Sequence, residues 1–106
     1  MGGIKTAAIS DARKAIETPF MNDFWALRKA MGEPEDRQEY WSELMNSANS
    51  LAEKYNRDPY IVVMLLGCIE DLEKRCPGSE RKGDMALKFL NDQRAKQGLP
   101  KVGVVA

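Results

Sequence analysis

The 106-residue chain contains no histidine, and this absence excludes more chemistry than any residue present suggests. Histidine is the commonest general base and metal ligand, and it usually activates a nucleophilic serine or cysteine. Only two cysteines occur, Cys68 and Cys76, which are too few for a disulfide framework or for a zinc site without histidine. The sequence therefore predicts no catalytic residue, no metal site and no cofactor.

The two cysteines are eight residues apart in the sequence. On one helix this spacing separates them by about 12 Å, beyond the reach of a disulfide. Cys68 lies in an apolar run and is expected to be buried, whereas Cys76 is expected to be more accessible. We expect both thiols to be reduced, as in a cytoplasm.

A glycine-rich phosphate-binding loop is also missing, because no glycine cluster follows a predicted strand. Carboxylates are the only remaining route to catalysis: Glu39 and Glu43 share one predicted helix face, and Glu70 and Glu73 share another. Such pairs can hold magnesium or manganese, but the second pair that all-α nucleotide pyrophosphohydrolases carry on the following helix is missing. A metal-dependent hydrolase is therefore a disfavoured alternative to solvated helix faces.

Neither sign of charge dominates, since 16 basic residues balance 16 acidic ones. A neutral chain has no overall field to attract nucleic acid or an acidic membrane. The C-terminal region is mildly basic, but Phe89 is its only aromatic residue that could stack on a base. A nucleic-acid-binding accessory is thus a disfavoured alternative. A helix-turn-helix is excluded because residues 60–69 present almost no polar side chain to base edges.

Long hydrophobic runs are absent as well. The longest run, residues 60–69, has ten residues, whereas a membrane-spanning helix needs about 20. Residues 1–9 lack the continuous apolar core of a signal peptide. We therefore expect a cytoplasmic protein with no membrane partner.

Apolar spacing and capping signals predict an all-α protein, a compact bundle of four to five helices. At its centre we expect one helix, about 59–76, that is apolar on all sides and capped by Asp58. Thr18-Pro19 is expected to start a new helix, separate from a short one before it. The other predicted helices are a first one that starts at residue 4 or 10 and ends at residue 17, then residues 18–31 and 35–56, and a last helix that starts between residues 79 and 84.

Residues 1–97 are predicted to form a single helical domain and residues 98–106 an extended, flexible tail. The last helix has no apolar side chains in a core-facing position after Leu90. Its polar second half, residues 91–97, is therefore expected to project from the body or to fray. Gly98-Leu99-Pro100 then prevents the helix from continuing.

Three segments carry a resemblance to known proteins: Glu39-Tyr40-Trp41-Ser42-Glu43-Leu44, Ala52-Glu53-Lys54-Tyr55 with Asp58-Pro59-Tyr60, and Glu70-Asp71-Leu72-Glu73-Lys74. Over residues 24–75 the chain resembles small uncharacterised helical proteins of bacterial phages and mobile elements. The resemblance assigns no functional residue. It implies a protein that acts by binding, either a virion or regulatory accessory or a small inhibitor of a host defence complex.

We therefore predict a small non-enzymatic protein-interaction module, accessory or regulatory, that binds a protein partner. Trp25 and Tyr40 lie one position off the apolar stripes of their helices. They are candidate partner contacts, because Trp and Tyr dominate binding hot spots, unless they only widen the core. Four more candidates belong to the C-terminal region: Lys88, Arg94, Val102 and Val104. A homo-oligomer is also expected, since a helix as apolar as residues 60–69 needs covering on every side.

Overall fold

Four α-helices make up the parts of the chain that the computed structural model describes, residues 9–78 and 83–103. They are α1 (Asp11–Met31), α2 (Gln38–Lys54), α3 (Pro59–Arg75) and α4 (Asp84–Lys96). No strand occurs within these two ranges, so the all-α prediction is confirmed for them. Helices α2 and α3 each contact the other three.

A single hydrophobic core lies between the helices. Every helix contributes at least one side chain that is no more than 1% exposed: Phe20 from α1, Trp41 from α2, Leu65 from α3 and Phe89 from α4. Full burial of one such side chain stabilises the fold by about 1.5–3 kcal/mol. This core is what holds the four helices in one body.

α1 runs without interruption through proline, so the predicted break at Thr18-Pro19 is wrong. The helix begins instead after Ser10, whose hydroxyl accepts a hydrogen bond from a first-turn amide at 3.2 Å. A proline inside a helix costs about 3 kcal/mol, because it lacks the amide hydrogen and crowds the preceding turn. Packing offsets this cost: Phe20 is fully buried and its ring lies 5.4 Å from that of Phe24 and 5.6 Å from that of Tyr55.

α2 is shorter at both ends than the predicted segment 35–56. Its buried stripe is the predicted one and includes Trp41, Leu44, Met45, Ala48 and Ala52. The helix ends because Asn56 adopts a left-handed conformation, with φ of 55°. The Asn56 amide donates to the Glu53 carbonyl, and the next amide donates to that of Ala52, which is the hydrogen-bond pattern of a Schellman cap.

α3 begins where the sequence predicts, with Pro59 as its first residue. The Asp58 carboxylate caps it by accepting a hydrogen bond from the Ile61 amide at 3.4 Å. Only one face of the helix is covered, however, since Val63 is 64% exposed and Tyr60 is 42% exposed. The predicted burial on all sides is wrong, because the neighbouring helices cover only part of the circumference of α3.

The start of α4 depends on a side chain from α3. Glu73 is 5% exposed, and its carboxylate accepts hydrogen bonds from the amides of Met85 at 3.0 Å and Ala86 at 3.1 Å. Gly83 occupies the N-cap position and has no side chain that could accept them. Glu73 therefore supplies from another helix the cap that α4 lacks.

The polar second half of α4 packs against the body, so the prediction that it projects or frays is wrong. Gln93 is 2% exposed, and its side-chain amide donates a hydrogen bond to Asn49 Oδ1 on α2 at 2.5 Å. A buried polar group is stable only with such a partner. The sequence did not reveal this partner because Asn49 lies 44 residues earlier in the chain.

The segment after α4 turns back at Gly98, which has a left-handed φ of 73°. The Asn91 side chain then binds both backbone polar groups of Val102: its amide donates to the Val102 carbonyl at 3.1 Å, and its oxygen accepts from the Val102 amide at 2.8 Å. Arg94 Nε donates to the Pro100 carbonyl at 2.6 Å. Residues 99–103 are non-helical. The extended, flexible tail over residues 98–106 stays a prediction.

Candidate functional site

A groove runs between α1 and α3 and encloses a volume of about 630 Å³. Two of the most exposed large apolar side chains in the described residues line it: Trp25 on α1, 56% exposed, and Val63 on α3. Pockets of this volume fall within the range that proteins use to bind ligands. We refer to this feature as the α1/α3 groove.

The groove follows from which faces of the two helices are left uncovered. The α3 side is lined by Val63, Gly67, Asp71 and Arg75, which recur every four residues and so share one face. This face extends over 12 residues, or about 18 Å at 1.5 Å per residue. The groove is therefore long enough for about three turns of another helix.

Gly67 leaves the middle of the α3 side open. A Cβ atom built on this glycine meets nothing within 4 Å outside its own helix. Glycine inside a helix costs about 1 kcal/mol relative to alanine, and here none of the described helices uses the space that it leaves. The space opens into the α1/α3 groove.

Trp25 carries two cations on the α1 side. The guanidinium carbon of Arg28 lies 6.0 Å from the centroid of the Trp25 ring, and Lys29 Nζ lies 5.9 Å from it. Such distances allow cation–π attraction. Among the residues that the structure describes, neither cation forms an ion pair with a carboxylate.

The charges on the other side of the groove are already paired. Arg75 binds Asp71 one turn earlier on α3 at 2.9 Å and Glu33, which follows α1, at 3.4 Å. The hydrogen bond to Asp71 raises the pKa of the Arg75 guanidinium. The α1/α3 groove therefore has unpaired positive charge on one side and an ion-paired cluster on the other.

Cys68 also lines the groove, where it is half-buried, whereas Cys76 is buried. This order of exposure is the reverse of the predicted one. Both thiols are free, as their spacing predicts. Burial raises the pKa of the Cys68 thiol, which keeps it protonated and a weak nucleophile at neutral pH.

The predicted contact residues do not form one surface. Trp25 lines the α1/α3 groove, but none of the other candidates that the structure describes does. Tyr40 is 4% exposed, and its ring packs edge-on against that of Trp41 at 5.0 Å. Burial raises the pKa of Tyr40 to about 12. The prediction that Tyr40 is a partner contact is therefore wrong. Tyr40 widens the core and is not available to a partner.

Three of the four C-terminal candidates lie in the part of the chain that the structure describes. Lys88 is exposed on α4, while Arg94 and Val102 are used in hydrogen bonds within the chain. Val104 lies outside the described residues. None of the three described residues lines the groove.

Sequence reasoning missed Arg28, Val63 and Gly67. One signal could have found two of them. Gly67 interrupts the apolar run and Asp71 follows just beyond its end, at a four-residue spacing that includes Val63 and indicates an uncovered face of the helix. Arg28 gives no such signal, because its proximity to α3 depends on how the helices pack.

The described residues contain no group of three His, Cys, Asp or Glu side chains that could hold a metal ion. Of the helices described, none combines the length and the apolar content that crossing a bilayer requires. No protein-family model matches the chain, and neither a curated protein nor a solved structure shows significant similarity to it.

Proposed function

We propose that the chain is a small non-enzymatic protein-interaction module that binds its partner through the α1/α3 groove. The observation that carries the proposal is the exposed Trp25 ring beside the open space at Gly67. Tryptophan is the residue most enriched in binding hot spots, where it fills an apolar site and excludes water. The groove presents such an anchor together with room for a partner's side chains.

The chemistry of the groove supports binding over catalysis. Its only thiol, Cys68, has a raised pKa, and the carboxylates of Asp71 and Glu33 are ion-paired with Arg75. A general acid–base mechanism needs a group within reach of a reacting atom that can exchange a proton near neutral pH. The proposal therefore includes no cofactor. We further propose that the protein acts in the cytoplasm, as a regulatory accessory or as an inhibitor of a host defence complex.

Affinity purification with matched variants tests the proposal. The tagged wild-type chain is used to capture partners from a lysate of the organism that encodes it, followed by mass spectrometry. Trp25→Ala and Gly67→Leu should lose the partner, because the first removes the anchor and the second fills the groove. Met21→Ala is the control, since Met21 is exposed one turn earlier on α1 and does not line the groove.

Two outcomes would contradict the proposal. A partner that all variants capture equally binds another surface, so the groove would be wrong as its site. Turnover in a screen of nucleotide and hydrolase substrates, retained without any partner, would make the chain an enzyme. Circular dichroism of each variant confirms that a loss of binding is not a loss of folding.

The predicted homo-oligomer concerns the same surface, because Val63, the most exposed apolar residue of α3, lines the groove. A second copy of the chain is thus the alternative occupant of the groove. Light scattering at low micromolar concentration distinguishes a groove that is free for another protein from one filled by a second copy. A particle of 11.9 kDa is a monomer, whose groove is open.

A further inference from the structure

The charges around the α1/α3 groove are distributed unevenly, and this distribution restricts what can bind there. Arg28 and Lys29 lie beside the anchor Trp25, and within the described parts of the chain no carboxylate neutralises them. Across the groove Asp71 is paired with Arg75. Glu33, which follows α1, binds the same guanidinium, so this cluster has two carboxylates for one cation. A partner therefore meets two unpaired cations beside Trp25 and a paired, weakly acidic cluster across the groove.

We infer that the α1/α3 groove binds an amphipathic α-helix whose apolar face is flanked by acidic side chains. This inference rests on the function proposed above and specifies the partner. A helix places apolar anchors at positions i, i+4 and i+7 into an apolar groove, and three turns match the length of about 18 Å along α3. Aspartate or glutamate on one edge of that helix would reach Arg28 and Lys29.

A second copy of this chain fits the charges less well. In a two-fold symmetric contact, residues close to the axis face their own counterparts. A contact centred on Trp25 would bring Arg28 and Lys29 of one copy close to the same two residues of the other copy. Like charges that face each other across an interface oppose association. An acidic helix has no such conflict.

A library of displayed peptides tests this inference on the intact chain. Sixteen-residue helical peptides are displayed on yeast, with a randomised apolar face and flanking positions drawn from Asp, Glu, Lys, Arg and Ser. Peptides that bind the wild-type chain are retained, and those that also bind Gly67→Leu are discarded. The retained peptides should carry an excess of acidic over basic flanking residues.

Charge reversal then tests the assigned cations. The double variant Arg28→Glu/Lys29→Glu should weaken binding of the selected acidic peptides by about tenfold or more, which corresponds to about 1.4 kcal/mol. The same peptides with lysine in place of their acidic residues should bind this variant better than the wild type. Lys96→Glu/Lys101→Glu is the control, because it makes the same change of charge on exposed residues outside the groove.

The outcomes separate this inference from the proposed function. Peptides that depend on the groove but have basic or neutral flanks would overturn the acidic partner and leave the interaction module standing. If no peptide depends on the groove, both fail. A dimer in sedimentation equilibrium that Gly67→Leu dissociates would make a second copy the occupant, and the inference would again be wrong.

Discussion

Arg13 on α1 binds Asp58, the residue that caps α3, through two parallel hydrogen bonds of 2.5 and 3.0 Å. The Asp58 carboxylate also accepts from the Ile61 amide. One carboxylate thus joins the first half of α1 to the start of α3, 45 residues later in the sequence. Two-pronged pairing of this kind holds both side chains in a defined orientation.

Substitutions at Asp58 separate its two roles. Asp58→Asn keeps a good N-cap and removes the charge that binds Arg13, while Asp58→Ala removes both and should cost about 1 kcal/mol more in unfolding free energy. Arg13 holds the pKa of Asp58 below its ordinary value. The stability that distinguishes wild type from Asp58→Asn is therefore present at neutral pH and lost as the pH falls below about 4. Urea unfolding of the wild type and both variants at several pH values measures these differences in unfolding free energy. A difference between wild type and Asp58→Asn that does not change with pH would contradict the role of the charge.

Glu73 is expected to show the opposite dependence on pH. Desolvation raises the pKa of its buried carboxyl, so the folded state takes up a proton more readily than the unfolded chain does. The stability of wild type relative to Glu73→Gln should therefore increase as the pH is lowered through the raised pKa. Urea unfolding of both proteins from pH 7 to pH 4 measures the difference. A decrease on acidification would show that the hydrogen bonds from α4 outweigh desolvation.

Removing the Glu73 side chain should destabilise the junction between α3 and α4. In Glu73→Ala the buried amide of Ala86 and the half-buried amide of Met85 lose their acceptor, at a cost of about 1–3 kcal/mol. Glu70→Ala is the control, because Glu70 is on the same helix and its side chain forms no hydrogen bond or ion pair with another residue that the structure describes. Equal effects of the two substitutions on the urea midpoint would contradict the capping role.

Two glycines offer a test that depends only on backbone conformation. A Cβ atom would meet nothing within 4 Å at either Gly67 or Gly98, but Gly98 has φ of 73° whereas Gly67 is helical. Gly67→Ala should therefore stabilise the fold by about 1 kcal/mol, and Gly98→Ala should destabilise it by a similar amount. For a domain of this size 1 kcal/mol corresponds to a shift in Tm of about 4–8 °C. Destabilisation by Gly67→Ala would show that the space at Gly67 is not open.

Gln93 and Asn49 should respond unequally to substitution. Gln93→Met removes the Oε1 atom, which is buried without a hydrogen-bond partner among the described residues, together with the Nε2 donor to Asn49. Asn49 is only half-buried and can bind water instead, so this substitution at nearly constant volume should change stability little. Asn49→Ala leaves the whole Gln93 amide buried without its partner and should cost about 1–3 kcal/mol. Thermal melting of both variants measures the contrast, and a larger loss in Gln93→Met would contradict it.

Local sequence signals predicted the structure correctly where residues close together in the sequence determine it. Asp58 and Pro59 predicted the start of α3 because capping involves residues three positions apart. The same reasoning failed at Pro19, where the cost of a proline in a helix is local but the burial of Phe20 that offsets it is not. The prediction that Tyr40 contacts a partner was wrong for a related reason. A residue one position off an apolar stripe can lie in the core or at the surface, and helix packing decides which.

The sequence by itself determined that this is a helical protein, where α3 begins, and that histidine chemistry is impossible, because periodicity, caps and composition are local or global properties of the chain. Only the tertiary structure decided that Val63 and Trp25 line one groove, that Gly67 opens into it, and that Glu73 caps a different helix. The physical reason is that exposure and charge pairing depend on which helix faces meet. That arrangement is set by the packing of all the core side chains together and by no single segment.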